Sequence, residues 1–223
     1  LEGIPTGETW RVVATRTRAT NTMWRPVAGE RSSVRESWRE LELDLAGERS
    51  GAQLRWTFRA FDEGCAVRYA VLHLNRPVRI TAERTVFRFP HDAHAWATYS
   101  AQGPYERVPV RQIRRGCERP LVVELNAQDS TLFVALGEAA LVDWPRMKFA
   151  PLGGEGGEAA GVVSLLDGPA EGEAPMVSPW RFVMVADSPG ALLEHNDLVL
   201  NLNAPCALRD TSWIRPGKVI REV

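Results

Sequence analysis

Leu54-Arg55-Trp56-Thr57-Phe58-Arg59-Ala60, then Asp62-Glu63-Gly64, then Val67-Arg68-Tyr69-Ala70-Val71-Leu72-His73-Leu74 is the stretch that decides the fold. In the first run apolar side chains alternate with Arg and Thr, the period-two pattern of a strand half buried on a sheet. The acidic-glycine trio between the runs is turn-forming, so the whole reads as a β-hairpin. Leu41-Glu42-Leu43-Asp44-Leu45, upstream, alternates in the same way. Further strands are expected at 10–18, 86–89, 121–125, 131–138, 161–166, 180–185 and 198–202. Only Pro189-Gly190-Ala191-Leu192-Leu193-Glu194 has helical character, with Asp187 or Ser188 as its cap. Many short strands about ten residues apart, punctuated by 18 Gly and 15 Pro, predict an all-β sandwich of antiparallel sheets with at most one or two short helices.

Length and composition narrow the function classes. The chain has 223 residues, enough for one large all-β domain, with 27 Lys+Arg against 28 Asp+Glu. That balance, with no basic run longer than Arg114-Arg115, lacks the concentrated positive face that phosphate backbones require, so no nucleic-acid partner is expected. The longest apolar stretches, such as 132–136, are far shorter than the roughly 20 residues of a membrane-spanning helix. Three widely spaced cysteines, Cys65, Cys117 and Cys206, support neither a disulfide framework nor a zinc site. The chain opens at Leu1 without Met or a leader, and a trimmed amino end is expected.

No GxSxG elbow, HExxH, CxxC or EF-hand pattern occurs. The Gly-rich stretches 151–158 and 168–175 read as surface loops, since their acidic residues would repel a phosphate. His91-Asp92-Ala93-His94 offers two imidazoles and a carboxylate, but after Phe89-Pro90 it reads as an exposed turn; His73 and His195 read as packing or surface residues. Of eight tryptophans, Trp56 reads as core, whereas Trp24, Trp96, Trp144 and Trp213 adjoin turn signals and are open to core, interface or sugar-stacking roles. Glu138 stands out among the carboxylates. It shares parity with Leu132, Val134 and Leu136, which aims it at an apolar face unless the strand ends there. A buried carboxylate needs a partner, and a hard cation such as Ca²⁺ is one candidate; a strand-end Glu in water is the other reading.

Several phrases are familiar in combination. Residues 24–32, 61–69, Trp96-Ala97-Thr98-Tyr99-Ser100, Gly103-Pro104-Tyr105-Glu106, 135–144, Ser178-Pro179-Trp180-Arg181, 198–203 and 210–218 together resemble the amino-terminal domain of glycoside hydrolase family 97, over about residues 20 to 223. The resemblance implies a β-super-sandwich of the galactose-mutarotase-like type. It implies a single domain over 1–223, with 204–223 beginning a linker to a (β/α)₈ barrel in the same parent chain. It also implies an amino end shorter than the family's by its first strands. Members are bacterial exo-acting α-glycosidases, α-glucosidases and α-galactosidases among them, acting on α-linked oligosaccharides, and a periplasmic or secreted location follows. Their acid and base or nucleophile belong to the barrel, so no catalytic residue is expected here. The domain's expected contribution is one carboxylate to an active-site Ca²⁺. Glu138 in Gly137-Glu138-Ala139-Ala140 is the positional match, although Gly137 stands where a polar residue is expected; Glu194 is the fallback. A free-standing carbohydrate-binding module is the alternative, and a mutarotase-like enzyme is a lesser one, lacking an evident His pair beside an acid.

Overall fold

The computed structural model describes residues 1–89, 93–127, 130–154, 160–215 and 217. Its backbone follows the hairpin reading. Strands β1 (Trp10–Trp24), β2 (Val34–Gly47), β3 (Gln53–Phe61) and β4 (Gly64–His73) are consecutive antiparallel neighbours. The turn between β3 and β4 needs its glycine, because a Cβ on Gly64 would lie 2.0 Å from the carbonyl oxygen of Val183. After β4 come β5 (Val78–Ile80), β6 (Val86–Arg88), β7 (His94–Ala97), β8 (Glu106–Pro109), β9 (Leu121–Ala127), β10 (Ser130–Ala139), β11 (Met147–Pro151), β12 (Gly161–Leu166), β13 (Ala170–Gly172), β14 (Met176–Val177) and β15 (Trp180–Ala186). Ten strands form the main sheet in the order β1-β2-β3-β4-β15-β10-β9-β7-β8, with β14 also on β4; β11-β12-β6 and β13-β5 form two smaller sheets. The architecture is the all-β antiparallel sandwich that the alternation predicts.

Two faces of the main sheet are packed over its second half. On one, Val134 and Leu136 of β10 and Leu121 and Val123 of β9 meet Met147 and Phe149 of β11 and Val162 of β12. Complete burial of such side chains contributes roughly 1.5–3 kcal/mol each, and this cluster is the largest core. A second cluster joins Val71 and Met176 to Val78, Ile80, Ala170 and Trp144. The opposite face carries Trp180, Phe182 and Met184 of β15 under two short helices, α1 (Pro189–Glu194) and α2 (Asp197–Leu202). Ser188 caps α1, its side chain accepting from the Ala191 amide at 3.2 Å with Pro189 in the first turn.

The segment 198–202, read from sequence as a strand, is helical. Leu198 and Leu202 share a face both in a period-two strand and, four residues apart, in a helix; Asn201 completes the helical stripe that is buried. Trp144, open between core and surface from sequence, is core, 8% exposed and edge-on to Tyr69. Trp56, read from sequence as core, is only half-buried and lies outside the three core clusters; it packs against Tyr69 and Phe58 on the apolar face of β3. No helix among the described residues is long and apolar enough to cross a membrane.

Candidate functional site

Strand β10 extends to Ala139, so Glu138 keeps its place on the face of Val134 and Leu136 and is not a strand-end residue in water. Its side chain is 4% exposed. The partner that burial demands is cationic, and it comes from the protein. Arg119 Nε donates to Glu138 Oε1 at 2.6 Å, and Arg181 Nη1 donates to Oε2 at 2.8 Å. The Met147 amide of β11 adds contacts of 3.2 and 3.1 Å to the same two oxygens, tying the carboxylate to the second layer.

The pair belongs to a longer chain of charges. Arg181, registered opposite Glu138 across β10 and β15, grips Glu83 with Nε and Nη2 at 2.6 and 2.9 Å. Burial alone would lower the Arg181 pKa, but the hydrogen bond that its guanidinium donates to Glu83 and the charges of Glu83 and Glu138 outweigh it and hold the guanidinium above its ordinary value. Burial, with the Glu83 charge, pushes the Tyr69 phenol well up; its hydroxyl lies 3.4 Å from Glu83. On the other side Arg119 Nη1 reaches Glu118 at 2.8 Å, and Glu118 faces Lys148 and Arg146, which share Asp167. Four carboxylates thus alternate with four cations, buried from Glu83 through Arg181 and Glu138 to Glu118 and open to solvent at Arg146 and Asp167. Breaking such a buried set is costly because it strands a charge out of water.

Beside this network, where Arg119 is one-fifth exposed, runs a groove of about 550 Å³ lined by Phe182, Met184, Leu193, Glu30, Arg119 and Glu138. Gly137 lines it too, and its identity is steric: a Cβ there would come within 2.4 Å of the buried Phe182 ring. A larger hollow of about 790 Å³ lies over β1–β4, floored by Leu41, Phe58, Val67 and Val183.

The residues around Glu138 do not fit a calcium ion bound through it. Calcium ligands sit at 2.3–2.6 Å, and the Arg119 nitrogen stands 2.6 Å from the oxygen that an ion would take. Two guanidinium groups already supply the opposite charge. Among the described residues no group of three His, Cys, Asp or Glu side chains is arranged to hold a metal. Glu194 ends α1 with a side chain 78% exposed, 3.5 Å from Arg31. His91 and Asp92 lie outside the described residues; His94 is in β7, His73 bonds Asn75, and His195 caps the end of α1. Trp24 bonds Asn201 through its indole nitrogen, whereas Trp96 and Trp213 are exposed. Periodicity alone finds Glu138 but not Arg119, Arg181 or Glu83. The usable signal is Arg181, a cation inside the otherwise apolar run 180–186, since it too needs a buried partner.

The sequence profile described as Glycosyl-hydrolase 97 N-terminal matches residues 3–205. Among solved structures, a Glycoside Hydrolase Family 97 enzyme from Pseudoalteromonas sp. strain K8 in complex with acarbose is 25% identical, with a TM-score of 0.82 over 96% of this chain and 33% of that one. The complex of a variant from the same strain with panose matches at 25% identity and a TM-score of 0.81, over the same shares of each chain. A beta-arabinopyranosidase is similar in fold, with a TM-score of 0.64 at 18% identity, over 80% of this chain and 32% of that one. The chain therefore spans about a third of the length of these structures.

Proposed function

The chain belongs to the Glycosyl-hydrolase 97 N-terminal family, and from that membership we propose that it is the non-catalytic amino-terminal domain of an exo-acting α-glycoside hydrolase. It packs on a (β/α)₈ barrel of the same polypeptide and closes one side of a pocket for α-linked oligosaccharides. The observation that carries this reading is the superposition of nearly the whole chain on one third of an enzyme held in complex with acarbose. Glycoside cleavage needs two carboxyl groups at a fixed separation, about 5–5.5 Å for retention or 6.5–9.5 Å for inversion. A single rigid domain holds that tolerance best, which leaves its neighbour the work of shaping and bracing the pocket. Glu138, with both oxygens engaged by arginines, is suited to bracing rather than to proton transfer.

The test compares the full-length protein with residues 1–223 alone on panose and on aryl α-glucosides and α-galactosides. Hydrolysis by the full-length protein only is expected. Turnover by the isolated residues would overturn the reading. Exposed Trp96 and Trp213 favour the second reading, a sugar-binding module; quenching of tryptophan fluorescence by maltose in residues 1–223 would support it.

A further inference from the structure

We propose that Arg119 is the resident cation of the Glu138 site: its guanidinium occupies the position that a divalent ion would take, and the protein needs no calcium through this carboxylate. The two arginines on Glu138 are not equivalent. Arg181 is 3% exposed and spends Nε and Nη2 on Glu83, so its charge is shared between two buried carboxylates. Arg119 lies on the groove side, 20% exposed, where an ion arriving from solvent would enter. It spans two acids, with Nε 2.6 Å from Glu138 and Nη1 2.8 Å from Glu118. A planar fork bridging two carboxylates delivers fixed charge without a hydration shell to shed. Removing it leaves those two acids facing one vacated space, which is a rudimentary hard-cation site.

The consequence is an inverted metal response. In the full-length protein, Glu138→Gln leaves the calcium-dependent part of the melting temperature unaltered, because wild-type Glu138 binds no calcium. Arg119→Ala melts lower in excess EDTA and regains part of the loss in millimolar CaCl₂, since an ion that binds only the folded state stabilises it. Arg119→Ala combined with Glu138→Gln does not regain it. A calcium-dependent rise in the wild type that Glu138→Gln abolishes would overturn the proposal. So would an Arg119→Ala variant indifferent to calcium. Should Arg119→Ala fail to fold, Arg119→Lys replaces it, because a single ammonium does not span both acids as the fork does, and the wild-type against Glu138→Gln comparison stands by itself. The place of Glu138 in a sugar pocket rests on the reading of the chain as a hydrolase domain, but the melting measurements do not. Failure of hydrolysis with the expected calcium response would sink only that reading.

Discussion

The main sheet has two halves built by different means. Strands β15, β10, β9 and β7 are buried on one face under a second layer of strands, and β15 and β10 also on the other, under α1 and α2. Strands β1–β3 are held by charge. Arg16 bridges Glu42 and Asp44, Arg55 returns to Asp44, and Arg18 and Arg59 converge on Glu40. Burial pushes the Glu40 carboxyl up, but the hydrogen bonds from Arg59 and Arg18 outweigh it and leave it below the ordinary range. Arg59 also stacks on Trp38 and Trp180, and Arg68 covers the second of these rings. The other face of the same strands is the bare hollow over Phe58, 41% exposed, and Leu41. The first half closes its core on itself, whereas the second is laced by ions on one face and leaves apolar side chains exposed on the other, the pattern of an interaction surface.

One chemical change separates the halves most widely. Arg181→Met abandons Glu83 and Glu138 between the sheets, and loss of one partner from a buried ion pair costs about 3–5 kcal/mol. Arg16→Met, on the ladder where Arg16 is 42% exposed, removes a solvent-screened interaction and costs far less. Urea denaturation of both variants measures the gap directly. Equal losses would mean that the two halves are held alike.

Gly137→Ala has the next largest effect, about 1–3 kcal/mol, the usual cost of overpacking. The added carbon collides with Phe182, which is 4% exposed beneath α1 and has little room to retreat. Chemical denaturation checks it, and recovery in Gly137→Ala combined with Phe182→Leu would assign the loss to that ring.

What was written in the sequence is what is local along the chain. The hairpin 54–74 and the parity of Glu138 were legible because strand alternation is local and the strand length carried it past Glu138. The start of α1 was legible to within one residue, Asp187 or Ser188, because capping is local too, and Ser188 is the cap. Segment 198–202 was not, since Leu198, Leu200 and Leu202 satisfy the strand pattern while Leu198 and Leu202 also satisfy the helical one. Only the packing of Leu198, Asn201 and Leu202 against the sheet decides. The partners of Glu138 were hidden for a different reason: Arg119 is 19 residues and Arg181 43 residues away along the chain, and registry between strands is a tertiary property. A buried acid announces the need for a cation, not which one.

Acid sharpens the comparison on the ionic half. The hydrogen bond from Arg55, opposed by slight burial and aided by Arg16, holds Asp44 down to about 2 from an ordinary 3.8. A carboxyl whose folded value is depressed stabilises the fold above its unfolded value and loses that contribution as pH falls through the folded one. Stability therefore declines between about pH 4 and pH 2, and Asp44→Asn flattens this part of the profile. Thermal melts of both proteins across that window test it; parallel profiles would remove Asp44 as a source of the acid response.

The smallest effect is on the thiols, which report coverage rather than stability. Cys117 is buried within the first core, and burial pushes its thiol up to about 11, so native protein withholds it from alkylation until unfolding. Cys65 is exposed in the hollow over β1–β4, although partial burial also raises its thiol, and it reacts in residues 1–223 at a measurable rate. If the proposed barrel packs over the hollow, that reaction is slower in the full-length protein. Mass spectrometry after iodoacetamide, with exposed Cys206 as the internal reference, reads the ratio of Cys65 to Cys206 labelling in both proteins. An unchanged ratio would leave the hollow open to water in the assembled protein and place the covering surface elsewhere, whereas a fall would locate it over Leu41, Phe58 and Val67.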